Sequence, residues 1–323
     1  MIFPVFLPRS NRARHRGTAG ARGTAAGLLV FTLATGCTIG SEPADEPGAA
    51  EETAQEFAIP VPPVTVTVEE PGAEPRQILA PDLSEGARHS TVLTVTSEVF
   101  QQLGDEPEAD LSRPAVTVPL DSEVVAAEGG EWTVTFTIGR AESRDAIVNY
   151  SLGAAEGSVA GLSIMSDGSV PELRITPNAE ADDVARSTIE QALFQAVYGM
   201  VVFPQEPVGA GARWTIEQPV AQSGMEIVQR TTVTLREVSG TAALLDLEIE
   251  QQPRLPYLEV PDEGRISVDE FDVSGGGALT VDLERPLPAE GSTSVRGTQL
   301  YSDPDTGYTA RQRVSMTTGW SAP

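Results

Sequence analysis

Side chains able to cut a bond, hold a metal or move a proton are few in this chain. Among 323 residues there are 2 His and 1 Cys against 47 Asp and Glu, and all 21 basic residues are Arg. That scarcity removes imidazole or thiolate metal clusters, disulfide frameworks and Cys-His catalysis. His89 stands beside Ser90, but adjacent residues on a strand point to opposite faces, so the two do not make a nucleophile and its base. Asp303-x-Asp305-x-Gly307 has the opening of a calcium loop, yet position 314, where a bidentate Glu belongs, is Val. A Pro-Asp-Thr-Gly turn accounts for that stretch. Asp269-Glu270-x-Asp272 sets Glu270 and Asp272 on one strand face, an arrangement for acid-base work or a hard cation. In so acidic a chain a solvated edge is the simpler reading. Gly275-Gly276-Gly277 lacks the Lys of a phosphate loop and reads as a bend between two strands. No catalytic residue, metal ligand or cofactor is expected, and the chain reads as non-enzymatic.

Charge narrows the partners. A formal charge of −26 repels phosphate backbones and anionic headgroups, which argues against nucleic acid and against a polybasic membrane patch. Residues 1–36 contain no acid and carry Arg9, Arg12, Arg14, Arg16 and Arg22, followed by the apolar run Ala25 to Thr35. A basic stretch and a short apolar run form a secretory signal, too short to span a bilayer permanently. The signal ends in Leu33-Ala34-Thr35-Gly36-Cys37, which resembles a bacterial lipobox, with Ala34 where a larger aliphatic residue is usual. The resemblance implies that Cys37 is lipidated and becomes the mature N-terminus. The expected location is then extracytoplasmic, anchored to the outer face of the cell membrane through the lipid on Cys37. Processing at that point discards five Arg and leaves a formal charge of −31.

Residues 37–75 are rich in Glu, Pro and Ala and read as a disordered acidic tether, in which only Val61 to Val68 alternates as a short docking strand would. From 76 to 320 the dominant signal is period-two alternation broken by Gly, Pro and Asp, the pattern of antiparallel strands. Strands are expected near 76–80, 88–100, 115–127, 131–142, 157–165, 170–176, 212–219, 224–238, 241–251, 264–274, 278–285, 292–302 and 308–317. One helix is expected over 178–202, with Asn178 as its N-cap and Pro204 just past its end. The fold class is α+β: a curved antiparallel sheet or half-barrel wrapped around one long central helix. Gly86-Ala87-Arg88-His89 and Gly211-Ala212-Arg213-Trp214 open strand runs on either side of that helix, which raises an internal duplication.

Pro207-Val208-Gly209-Ala210-Gly211-Ala212-Arg213-Trp214 and Asp282-Leu283-Glu284-Arg285-Pro286-Leu287-Pro288 resemble phrases of an uncharacterised lipoprotein family of high-GC Gram-positive, actinobacterial bacteria. That resemblance implies localisation and topology only. A looser similarity of strand and helix order links the chain to LolA-like carriers and mycobacterial lipid-binding lipoproteins, and implies an apolar cavity between sheet and helix. Trp132, Phe136, Phe194, Met200 and Trp214 are the candidates to line such a pocket. Alternation is the same whether that space is filled or hollow. Two roles follow: binding of a hydrophobic or lipid-like ligand, or an adaptor that pairs with another envelope protein through its sheet.

Overall fold

The computed structural model describes residues 56–222, 225–260 and 264–323. The signal, Cys37 and most of the acidic tether lie outside the described residues. Among the described residues sixteen strands form one antiparallel sheet. They are β1 Phe57–Pro60, β2 Thr65–Glu70, β3 Arg88–Leu103, β4 Ala109–Asp110, β5 Arg113–Glu128, β6 Glu131–Ile138, β7 Glu142–Ser143 and β8 Val159–Met165, then β9 Glu172–Thr176, β10 Arg213–Gln222, β11 Met225–Ser239, β12 Ala242–Pro253, β13 Tyr257–Val260, β14 Gly264–Asp282, β15 Glu290–Ser302 and β16 Thr309–Ser321. The main path runs β1-β9-β8-β6-β5-β3-β16-β15-β14-β12-β11-β10-β2, and the sheet does not close.

Alternation decides which face is dry. Along β3, Thr91, Leu93, Val95, Ser97, Val99 and Gln101 are buried while the residues between them are more exposed. β12 repeats the pattern with Ala243, Leu245, Leu247, Ile249 and Gln251. The outward face carries Thr and Glu with cross-strand Arg-Glu pairs, such as Arg88 with Glu123 and Arg230 with Glu217. Exposed pairs of this kind are screened by solvent and add little, so apolar burial dominates.

The helical expectation needs correction. Among the described residues there are two α-helices, α1 Ala146–Leu152 and α2 Asp183–Tyr198, with a 3-10 turn at Gly153–Ala155 after the first. α2 begins five residues later than 178. Asp182 caps it, accepting from the Ala185 amide at 2.8 Å, while Asn178 accepts from Glu180 in a turn ahead of the helix. Gly199 ends it. Ala185, Ile189, Ala192, Leu193, Ala196 and Val197 form its buried stripe, and α2 packs against β3, β5 and β9.

Other departures have local causes. The glycines at 275–277 sit inside β14 rather than between two strands. A Cβ on Gly275 would lie 1.8 Å from the Ser294 carbonyl oxygen and one on Gly277 1.9 Å from that of Ser292, so these positions let β14 and β15 approach closely. The strand expected at 76–80 reduces to a single bridge between Gln77 and Val208, because prolines at 75 and 81 flank it.

Segment 57–70 forms two strands at opposite ends of the sheet. β1 pairs with β9 and β2 with β10, and only Val61-Pro62-Pro63-Val64 separates them. Four linking residues reach at most about 18 Å, so the two edges of the open sheet are held within that distance by one strap.

The two Gly-Ala-Arg openings share geometry as well as sequence. Gly86 and Gly211 have φ of 80° and 78°. The Gly86 amide donates to Val124 and the Val124 amide to Ala87; Gly211, Leu235 and Ala212 repeat this, all at 2.8–3.0 Å. A bulge follows Val124 in β5 and Leu235 in β11.

Candidate functional site

α2 carries a second stripe opposite its buried one. Ser187, Glu190, Gln191, Phe194, Gln195 and Tyr198 recur at the helical spacing and line a cavity of about 390 Å³ between α2 and the sheet. Across it stand Ile216 of β10, Gln229 and Thr231 of β11, Leu247, Ile249 and Gln251 of β12, and Val295 and Met316 of β15 and β16. Ile59 of the strap and Met200 complete one wall. The volume falls within the ~300–1,000 Å³ of small-molecule sites.

Phe194 and Tyr198, one turn apart, stack with ring centroids 4.4 Å apart and planes tilted by 46°. Burial pushes the Tyr198 hydroxyl up from its ordinary pKa, and burial likewise raises the Glu190 carboxyl above the usual carboxylate range. Both groups therefore favour the neutral form more than they would in water.

The inward face also carries an unusual polar layer. Gln218, Gln229 and Gln251 stand directly opposite one another on β10, β11 and β12. Gln101, Gln312 and Gln299 do the same on β3, β16 and β15. Gln251 Nε2 donates to Gln229 Oε1 at 2.9 Å and Gln312 Nε2 to Gln101 Oε1 at 3.1 Å. The Tyr301 hydroxyl donates to Gln299 Oε1 at 2.6 Å.

Two smaller spaces adjoin the cavity. One of about 230 Å³ lies on the other side of Ser187 and Gln191, where Arg113 donates to Gln191. The other, about 300 Å³, lies beneath the strap between Pro62, Val170 and Met200.

Of the five aromatic and Met candidates, Phe194 and Met200 line the cavity. Phe136 and Trp214 are filled core, at 3% and 0% exposure, and Trp132 is partly buried against the same cluster. The Ser/Glu/Gln stripe of α2 and the inward glutamines were not singled out by sequence reasoning. The glutamines carry a signal, a polar residue where period two demands an apolar one, as Gln251 continues Leu245, Leu247 and Ile249 of β12. The stripe of α2 carries none, since it lies on the face that the helical period leaves polar.

The remaining candidates stay apart. Ser90 Oγ donates to Asp121 at 2.5 Å, and His89 lies near Arg285, Asp282 and Glu284. Burial, then Arg285, lowers the His89 pKa. Asp303 accepts from the Asp305 amide and the Thr306 hydroxyl within its own turn. Glu270 accepts from Thr298 on an exposed face. Among the described residues no group of three or more His, Cys, Asp or Glu is arranged to hold a metal ion, and no helix is long and apolar enough to cross a membrane. No family model matches the chain, and no curated protein matches it.

Proposed function

We propose that this protein binds a hydrophobic or lipid-like small molecule in the cavity between α2 and the sheet. It acts without catalysis, as a lipoprotein held through Cys37 at the outer face of the cell membrane. In this reading the curved sheet is a half-barrel around α2, built from two copies of one strand unit, each opened by a Gly-Ala-Arg segment. The single observation that carries it is the lining of the 390 Å³ space: Phe194, Tyr198, Met200, Ile216, Ile249 and Met316 around a few placed polar groups. An adaptor role through a sheet edge is less well supported, since the terminal strands β1 and β2 are only 4 and 6 residues long and present little edge to pair.

Native mass spectrometry of protein purified gently from its source cells tests the reading, together with binding of the uncharged probe 1-N-phenylnaphthylamine. A lipid-sized adduct and probe binding are expected, and Thr231→Trp, which fills the cavity, should remove both. Absence of any adduct together with no probe binding by the unaltered protein would overturn it.

A further inference from the structure

We propose that the cavity takes a neutral amphiphile whose hydroxyl or amide group hydrogen-bonds Gln251, in preference to a plain hydrocarbon chain or an anionic lipid. The inference rests on the cavity being a ligand site and specifies the class of ligand.

Gln251 is 7% exposed and lines the cavity. Its Nε2 is used by Gln229, and its Oε1 is buried with no hydrogen-bond partner. Gln229 is itself flanked on its far side by Gln218. Turning the amides over exchanges the free acceptor for a free donor, and a hydroxyl or amide satisfies either. A hydrocarbon against Gln251 leaves that buried atom unpaired as it stands, whereas a hydroxyl or amide that reaches it adds the missing hydrogen bond, a difference of about tenfold in affinity.

The sign of the head group follows from the walls. Glu190 supplies the only charge among the described lining residues, and no Lys exists anywhere in the chain. A carboxylate or phosphate entering here meets a like charge with no cation in the same wall. At ~30 Å³ per heavy atom the space holds roughly a dozen, the size of one medium alkyl chain with a small polar head.

Displacement of bound 1-N-phenylnaphthylamine at pH 7 by 1-decanol, 1-chlorodecane and decanoate tests this. Decanol should act at about tenfold lower concentration than either of the others, and Gln251→Leu should bring decanol and chlorodecane to parity. The ranking with unaltered protein decides the matter even if that variant fails to fold. Equal potency of decanol and chlorodecane there overturns the ligand class while leaving the binding function in place. A preference for decanoate also overturns it, and turns attention to Arg113. Failure of the probe to bind at all removes the underlying function, and this inference with it.

Discussion

The indole N–H of Trp214 donates to the carbonyl oxygen of Val202 at 3.0 Å, both residues being buried. This bond ties the segment leaving α2 to β10, so the position of Met200 and Val201 in the cavity wall depends on a core residue that does not touch the cavity. Phe203 packs its ring 6.3 Å from the indole and strengthens the tie. Trp214→Ala should cost ~3–5 kcal/mol of stability, as for other large core truncations. Trp214→Phe keeps most of the apolar area but orphans the Val202 carbonyl, and should cost about 1–3 kcal/mol. Denaturant unfolding of both variants measures the difference.

The glycines of β14 give a second prediction. The Cβ of an alanine at 277 would press on the Ser292 carbonyl oxygen, a backbone atom of the paired strand that cannot rotate away. Gly277→Ala should destabilise by ~3 kcal/mol or more, or prevent folding. Gly153, in the 3-10 turn, meets nothing within 4 Å and has φ of −57°. Gly153→Ala should be neutral or stabilise by up to ~1 kcal/mol. Thermal unfolding of the pair separates a glycine needed for close approach from one that is merely tolerated.

The strap yields a third. Val66 and Val68 of β2 stand opposite Ile216 and Trp214 of β10, and Ile59 of β1 stands opposite Leu173 of β9 while also touching the cavity. Loosening β2 should therefore open the wall without dissolving the main core. Val66→Asn with Val68→Asn should cost ~1–2 kcal/mol per site, because both are only half-buried. It should also speed release of 1-N-phenylnaphthylamine about tenfold in stopped-flow measurements. An unchanged release rate would show that ligands leave by another route.

What the sequence disclosed and what it hid divide along physical lines. Period two located most of the long strands because they have a dry and a wet face, as Leu93 and Val95 of β3 show, whereas β14 alternates poorly and reads as two strands. The start of α2 was misplaced because Asn178 and Asp182 are both good caps, and only the tertiary position of Ala181 and Ala185 in the core selects the second. α1 is two turns long, too short for its periodicity to register. The strap was legible in part: Val61 to Val68 alternates as a docking strand would, and the half-buried Val64, Val66 and Val68 pack on the core with β2 paired to β10, whereas β1 at Phe57–Pro60 was hidden among prolines and acids. Phe194 and Met200 could be named as lining residues from helical spacing, but Gln251 only by extending the inward series Leu245, Leu247 and Ile249 of β12 onto a polar residue. A Gln in a strand ordinarily points outward, and its inward aim follows from register with Gln229 and Val273.

Glu190 makes the cavity pH-dependent. Its carboxyl titrates above the ordinary range because burial disfavours the charged form. For an acid whose folded pKa is raised, the native state binds more protons than the unfolded state between the two values. Its contribution therefore favours folding at low pH and is lost as pH rises through the raised value. Ligand binding follows the same sign, since an apolar or neutral guest desolvates Glu190 further and favours its protonated form. Affinity for decanol should rise a few-fold as pH falls from neutral into the upper carboxylate range. Glu190→Gln should flatten that slope and hold the affinity near its low-pH value throughout. His89 acts in the opposite direction on stability alone: its lowered pKa means that acid favours the unfolded chain, and since it does not line the cavity, binding should be untouched. Titrating binding and unfolding in parallel, with Glu190→Gln and His89→Gln, separates the two groups: Glu190→Gln must change the binding profile, and His89→Gln only the stability profile.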